Sequence, residues 1–291
     1  GDSMARLLGL IANRPDLCHR FAEYERQQLT VRRQVDSGAD PGDDEAPQWG
    51  WGVGFFQSGE ILMRRRPLDD RSVLDVADMI ADLRSDIVIT HVRRATVGEL
   101  RTDNTHPFRY RQWMFADTGT VNSWGDVGNK LMETLPQFLQ RSVRGDTDSE
   151  LLFHLFLSFL HDSGKLDQHM VSTDEVFPAL KSSLGLLDRI TKEAGAPEAK
   201  LNLLVATPDY LIAVHRGAPM AYRVLKGRED FEPLFSDAGG ERLRMPDLEP
   251  CRLAAVASDF DRDRIPTDWT EVPEGAMIAF TRTDDPVIVQ R

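Results

Sequence analysis

The sequence is poor in cysteine, and it lacks a long hydrophobic run. Its 291 residues include two cysteines, Cys18 and Cys251. Two cysteines so far apart provide no disulfide framework, which favours a reducing compartment such as the cytoplasm. The longest apolar run, residues 151–160, contains a histidine and a serine and is too short to cross a bilayer. No basic segment followed by an apolar one opens the chain, so we expect no signal peptide.

Positive charge is also scarce. Lysine and arginine total 35 against 47 aspartates and glutamates, for a formal net charge of −12. Such a surface repels phosphate backbones and anionic lipid, so we expect neither nucleic acid nor a membrane as a partner. His154 and His161 are seven residues apart, with no carboxylate or cysteine at metal-ligand spacing. We therefore expect no metal and no other cofactor.

Apolar periodicity and turn residues divide the chain into strand-rich ends and a helical middle. Predicted strands cover residues 7–11, 51–57, 60–66, 86–91, 113–116, 201–206, 210–215, 221–225, 253–257 and 277–281. Predicted helices cover residues 16–33, 72–84 with Ser72 as the N-cap, 126–139, 148–160 and 174–193. The acidic segment 36–45, rich in glycine and proline, indicates an exposed loop. We expect one layered α+β domain over residues 4–291, preceded by a cloning remnant at residues 1–3.

Four short segments carry the residues of chemical interest. They are 4–9 (Met-Ala-Arg-Leu-Leu-Gly), 91–96 (His-Val-Arg-Arg-Ala-Thr), 104–108 (Asn-Thr-His-Pro-Phe) and 147–150 (Thr-Asp-Ser-Glu). In this order and spacing they resemble the class II glutamine amidotransferases, and in particular the stand-alone branch similar to ergothioneine-pathway amidohydrolases. The pair formed by 104–108 and 147–150 is the specific signal. With 50–52 (Gly-Trp-Gly) and several late segments, the resemblance runs nearly from end to end.

The resemblance implies a fold and a reaction. The fold is the four-layer αββα sandwich of the N-terminal-nucleophile hydrolases. In that family an N-terminal cysteine attacks the side-chain amide of glutamine, and its own α-amine acts as the base. The ammonia released passes to a synthetase or transferase, and this chain encodes no such partner domain.

The amino-acid-binding half of the family's site is present. The resemblance places the arginine that pairs with the ligand's α-carboxylate on Arg93, and the aspartate that pairs with its α-ammonium on Asp148. Thr96 and His106 lie in the same expected pocket. Position alone leaves simpler roles open, because arginines are mostly exposed and Asp148 begins a predicted helix. The helix could instead be capped by Thr147, with a capping box completed three residues later.

The catalytic half departs from the family pattern. Ala5 stands where the family has its cysteine, and a methyl group cannot attack a carbonyl. Asp117 and Thr118 stand where the family has His-Asn, while Gly119 keeps the oxyanion glycine. Loss of one oxyanion donor costs roughly 100- to 1,000-fold in turnover. A single Cys→Ala exchange would not explain the changes at 117 and 118, and Cys18 is expected to be a buried hydrophobe rather than a replacement nucleophile.

These observations favour a pseudoenzyme that binds glutamine or a γ-glutamyl-type amide and acts in binding or regulation. Two alternatives stay open. Removal of Met4 would leave the α-amine of Ala5 as a base on bound water, with Asp117 as an acid/base carboxyl in an active amidohydrolase. The other alternative is a structural interaction protein with no ligand, in which changes at Arg93 and Asp148 would alter only stability.

Overall fold

Two antiparallel sheets face each other between two layers of helices. The computed structural model describes residues 5–32, 49–71, 73–94, 101–236, 247–260 and 264–290. Within them the larger sheet has the strand order β13 (Thr270–Glu271), β11 (Met220–Lys226), β12 (Arg252–Ser258), β1 (Ala5–Ala12), β6 (Ile87–Arg94), β3 (Trp49–Gln57), β4 (Glu60–Asp69). The smaller sheet has the order β15 (Val287–Val289), β14 (Met277–Phe280), β10 (Leu211–His215), β9 (Lys200–Ala206), β8 (Trp113–Thr120), β7 (Phe108–Tyr110).

The helices form one layer on the outer face of each sheet. Those on the larger sheet are α1 (Leu17–Tyr24), α2 (Arg26–Leu29), α3 (Val76–Ile80) and α8 (Gly227–Ser236). Those on the smaller sheet are α4 (Trp124–Thr134), α5 (Gln137–Gln140), α6 (Asp148–Asp162) and α7 (Thr173–Glu193). Within the described ranges no helix is long and apolar enough to cross a membrane.

Strand alternation explains why the sheets can pack on both faces. On β1, Leu7 and Ile11 point between the sheets, whereas Leu8 and Leu10 point toward the helices. On β8, Met114 points inward and its neighbours on either side pack against α6 and α7. Side chains of a strand alternate between its two faces, so a strand buried on both sides is apolar throughout.

Most predicted strands and the helices at 148–160 and 174–193 are confirmed to within a few residues. The predicted helix over 72–84 is wrong in its bounds. Its first residues form β5 (Val73–Leu74), which pairs with β2 (Val31–Arg32). The helix begins only at Val76, where Asp75 accepts a hydrogen bond from the backbone N–H of Ala77 at 2.9 Å. Ser72, the predicted cap, lies outside the described residues.

Two more helix predictions are too long. The segment 16–33 breaks at Glu25, whose buried carboxylate forms an ion pair with the partly exposed Arg223 of β11. The segment 126–139 is divided at Pro136 into α4 and α5. Neither the helix α8 nor the short strands β7, β13 and β15 are predicted. The predicted loop at 36–45 lies outside the described residues.

Candidate functional site

A cavity of about 440 Å³ opens at one end of the space between the two sheets. We call it the Ala5 cavity. It brings together every predicted site residue that the structure describes, namely Ala5, Arg93, His106, Asp117, Thr118, Gly119 and Asp148. Thr96 lies outside the described residues. The sequence segments that carry these residues are far apart, so their convergence comes from the fold.

Strand pairing positions the first wall of the cavity. Ala5 is the cross-strand partner of Arg93, and Leu7 is the partner of His91, in the antiparallel pair of β1 and β6. Ala5, His91 and Arg93 share the strand face that carries Leu7 and Ile89 into the space between the sheets. Backbone hydrogen bonds of the ladder therefore fix the separation between residue 5 and the arginine.

The second wall is the end of β8. Gly119 has φ +124°, and a Cβ there would lie 2.3 Å from the carbonyl oxygen of Lys200. Only glycine fits this close approach to β9. The hydroxyl of Thr118 donates to Oδ2 of Asp259 at 2.8 Å, and Ser258 donates to the same oxygen at 2.5 Å. The Thr118 hydroxyl is thus held by a buried carboxylate that the sequence interpretation did not include.

A third segment, which carries His106, packs closely against β3. A Cβ on Gly52 would lie 1.8 Å from the carbonyl oxygen of His106, so the segment can occupy this position only beside a glycine. Asn104 anchors the other side. Its amide donates to the carboxylate of Asp146 at 2.8 Å and accepts from the backbone N–H of Asp146 at 3.2 Å. These contacts tie the His106 wall to the loop that precedes α6.

A buried imidazole–carboxyl pair crosses the back of the cavity. Nε2 of His106 lies 2.7 Å from Oδ1 of Asp117, and the rings of His91 and His106 are 4.0 Å apart between centroids. Burial raises the pKa of Asp117 to about 7, although a hydrogen bond from Ser149 and the charge of Arg93 oppose the rise. Burial also lowers the pKa of both histidines well below its usual range. Near neutral pH the pair therefore contains a neutral imidazole and a carboxyl that can gain or lose a proton.

The first turn of α6 supplies the fourth wall. Thr147 is the N-cap and accepts from the backbone N–H of Glu150 at 3.3 Å. The alternative in which Thr147 caps the helix is therefore confirmed, but the capping box is not formed, because the Glu150 carboxylate accepts from the backbone N–H groups of Arg144 and Gly145 instead. The Asp148 carboxylate accepts from the backbone N–H of Val121 at 2.9 Å, so it also links α6 to the end of β8.

Several cavity residues were missed by the sequence interpretation. They are His91, Thr120, Val121, Trp124, Asp146 and Ser149. His91 and Ser149 lie inside the motif segments, and strand alternation could have assigned His91 to the same face as Arg93. Ser149 directly follows Asp148 on α6, so helix periodicity does not assign these two residues to one face. Cys18 is absent from the cavity and buried, and burial raises the pKa of its thiol, which is unfavourable for a nucleophile.

Comparison with known proteins shows the family and the fold of the chain. Residues 4–288 match the model of the family described as class II glutamine amidotransferases, and the chain belongs to this family. The probable glutamine amidotransferase DUG3 of Saccharomyces cerevisiae is 30% identical over 252 residues, which cover 80% of this chain and 69% of that protein.

Two solved structures share the architecture. One is a glutamine aminotransferase class-II domain protein from Silicibacter pomeroyi, with a TM-score of 0.56, 16% identity and 98% of each chain covered. The other is a predicted glutamine amidotransferase from Pseudomonas aeruginosa, with a TM-score of 0.58, 19% identity, and 98% of this chain and 100% of that chain covered. At these identities the likeness concerns the fold, and it confirms the predicted αββα sandwich of the N-terminal-nucleophile type.

Proposed function

We propose that the chain binds glutamine or a γ-glutamyl-type amide in the Ala5 cavity and does not hydrolyse it through a cysteine. The observation that carries the proposal is the placing of Arg93, Asp148 and Ala5 on one cavity of about 440 Å³. That volume lies within the range of roughly 300–1,000 Å³ that is usual for small-ligand pockets. The two charged groups that would recognise an amino acid, on Arg93 and Asp148, thus lie beside Ala5, whose side chain has no nucleophilic atom.

Recognition would use two opposite charges. The guanidinium of Arg93 offers a planar pair of donors, which suits the two oxygens of an α-carboxylate. The Asp148 carboxylate accepts one backbone N–H from Val121 and one from Ser149, and its negative charge complements that of an α-ammonium group. The side-chain amide of the ligand would then extend toward Ala5, where β1 begins.

Three features disfavour the family's usual chemistry. The methyl group of Ala5 cannot form a thioester. The Thr118 hydroxyl donates to Asp259, so that hydrogen is not available to a developing oxyanion. Asp117 takes on negative charge as it ionises near pH 7, close to where a tetrahedral oxyanion would form. We therefore propose that the protein is a pseudoenzyme that binds its ligand or regulates a partner synthetase or transferase. We also propose that it is located in the cytoplasm.

A second candidate function is amide hydrolysis by non-cysteine chemistry. The observation that favours it is Asp117, whose pKa of about 7 and hydrogen bond to His106 suit a carboxyl that transfers protons at neutral pH. In this alternative the α-amine of Ala5, as the first residue of the chain, activates a water molecule. The reaction would then depend on Asp117, and Asp117→Asn would abolish ammonia release.

Calorimetric titration of L-glutamine tests the proposal. We expect saturable binding to the unaltered protein and at least a tenfold loss of affinity in Arg93→Ala, because a charge-assisted pair is removed. Arg189→Ala, an exposed arginine on α7, is the matched control and should bind as the unaltered protein does. Equal affinity of all three proteins for L-glutamine would contradict the assignment of Arg93 as the residue that binds the α-carboxylate. Absence of any binding would leave the structural interaction protein as the better account.

A further inference from the structure

A second cavity, of about 730 Å³, lies on the other side of the wall formed by His106 and the start of α6. None of its lining residues also lines the Ala5 cavity. The two cavities share the partition itself, since the ring of His106 on one side lies 4.7 Å between centroids from that of Phe108 on the other. We call this second space the arginine cavity.

Positive charge is concentrated in the arginine cavity although the chain as a whole is strongly acidic. Five arginines line it, and they come from three separate parts of the chain. They are Arg65, Arg109, Arg111, Arg141 and Arg144. Three carboxylates also line it, from Glu60, Asp103 and Glu150. The lining therefore carries an excess of two positive charges when all of these groups are ionised, in a protein whose net charge is −12.

The lining carboxylates do not pair one to one with the lining arginines, and Glu150 accepts from two backbone N–H groups instead. Arg111 pairs with Asp167, which is not a lining residue, so one of the two excess positive charges is neutralised from outside the lining. Within the described ranges no carboxylate lies within ion-pair distance of the side chains of Arg141 or Arg144. Both residues are exposed and line the cavity. Two guanidinium groups thus lie on one concave surface with their charge available to a ligand.

The pKa of Arg65, which also lines the cavity, reflects its burial and the positive charge of the neighbouring arginines. Arg65 is half-buried, and its guanidinium donates to the carbonyl oxygen of Thr105 at 3.4 Å. Burial lowers the pKa of Arg65, and the charges of Arg109 and Arg144 lower it further, while Asp103 and Glu150 oppose the change. Repulsion among neighbouring arginines is relieved when an anion binds between them.

The histidine in the lining does not add charge. Burial lowers the pKa of His154, and its two ring nitrogens are bonded to the Glu150 carbonyl at 2.8 Å and to the Ser142 hydroxyl at 2.9 Å. The remaining wall is apolar, and Phe138 is its most accessible aromatic ring, with 41% of the residue exposed. A ligand that fits would combine an anionic group with an apolar or aromatic body.

We propose that the arginine cavity is a binding site for a small organic oxyanion, a phosphate or a carboxylate carried on an apolar body, held by Arg141 and Arg144 with Phe138 against the body. The cavity is concave and of ligand size, which favours a small molecule over an extended acidic segment of another protein. The site is separate from the Ala5 cavity and does not depend on what that cavity binds.

Titration with three probes tests the site. Phenyl phosphate, benzoate and inorganic phosphate are each titrated calorimetrically into the whole protein at low ionic strength, where exposed charges are least screened. We expect saturable binding of at least one aromatic probe, tighter than inorganic phosphate. Tighter binding of phenyl phosphate than of benzoate assigns a phosphate ligand, and the reverse order assigns a carboxylate.

Variants then locate the binding. Arg141→Ala combined with Arg144→Ala should weaken the aromatic probe at least tenfold, since two charge-assisted contacts are lost. The matched control is Lys181→Ala combined with Arg189→Ala, which removes the same charge from the exposed face of α7 and should leave binding unchanged. Phe138→Ala should weaken the aromatic probe and leave inorganic phosphate unchanged.

Four results would overturn the proposal. The first is the absence of saturable binding by every probe, and the second is an equal loss in both double variants, which would mean nonspecific attraction. The third is competition between the aromatic probe and L-glutamine, which would place the probe in the Ala5 cavity. The last is tight binding of a polyglutamate peptide with none of the small probes, which would mean a protein partner instead.

Discussion

Ala5 and Arg93 are direct cross-strand partners, so the residue that we propose for the family's nucleophile position and the proposed carboxylate anchor lie side by side on adjacent strands. Their separation is set by the ladder of β1 and β6, not by a loop. Directly paired residues of antiparallel strands have Cα atoms roughly 4.5–5.5 Å apart. The proposed exchange of cysteine for alanine at residue 5 would therefore leave the arginine in place, so a binding site could persist without a nucleophile.

Asp148 is expected to bind the α-ammonium group of the ligand. Asp148→Asn removes the negative charge and keeps an oxygen that can accept from Val121. We expect about a tenfold loss of affinity for L-glutamine and little change for 4-carbamoylbutanoate, which is glutamine without its amino group. Calorimetry with both ligands measures the difference. Parallel losses for the two ligands would instead indicate that the variant has disturbed the start of α6.

Restoring the cysteine alone is expected to give a poor enzyme. In a protein that begins at residue 5, Ala5→Cys still has the Thr118 hydroxyl bonded to Asp259 and Asp117 in place of histidine. Adding Asp117→His and Thr118→Asn should raise ammonia release from glutamine by about 100-fold or more over Ala5→Cys. A coupled ammonia assay follows both proteins. If Ala5→Cys alone reaches the rate of the triple variant, the residues at 117 and 118 are not what limits turnover.

Asp117 should make stability depend on pH. Its pKa is raised to about 7 by burial, so between about pH 4 and pH 7 the folded state binds more protons than the unfolded state. The stabilising effect is complete at low pH and is lost as pH rises toward 7, by at most about 1.4 kcal/mol for each pH unit.

Comparison with Asp117→Asn isolates this effect, because His91 and His106 are present in both proteins. Urea unfolding from pH 4 to pH 8 should show the free energy of unfolding of the unaltered protein falling relative to the variant as pH rises. A constant difference across this range would mean that Asp117 is ionised throughout.

Gly119 should tolerate no side chain. Gly119→Ala places a Cβ 2.3 Å from the Lys200 carbonyl oxygen at a φ of +124°, so we expect a loss of about 2 kcal/mol or more in the free energy of unfolding. Gly185→Ala on α7 is the control. Its Cβ would meet nothing within 4 Å, and alanine in a helix is favoured by about 1 kcal/mol. Denaturant unfolding should therefore separate the two variants in opposite directions.

The sequence predicted the strands that carry the cavity residues better than it predicted the helix bounds around them. Alternation places Leu7 and Ile11 on one face of β1 and Leu8 and Leu10 on the other, so a local pattern is enough to identify this strand. Five of the seven described site residues lie on β1, β6 and β8, and such patterns identify each of these strands. The family motifs then assigned residues to one pocket before any geometry was known.

Predictions failed where distant contacts decide the local structure. The predicted helix over 16–33 breaks at Glu25, whose carboxylate pairs with Arg223, almost two hundred residues away. Val73 and Leu74 form a strand rather than a first helical turn because β2 is available to pair with them. The hydrogen bond from Thr118 to Asp259 joins residues 141 positions apart, so no local sequence pattern predicts it. The arginine cavity also could not be predicted from local patterns, since its arginines come from separate segments of the chain.

The most direct test of the central claim is titration of L-glutamine into protein whose first residue is Ala5, followed by an ammonia assay on the same sample. We predict saturable binding that is lost in Arg93→Ala, with no ammonia released above the buffer control. Ammonia release by the unaltered protein that disappears in Asp117→Asn would contradict this account and establish hydrolysis without a cysteine.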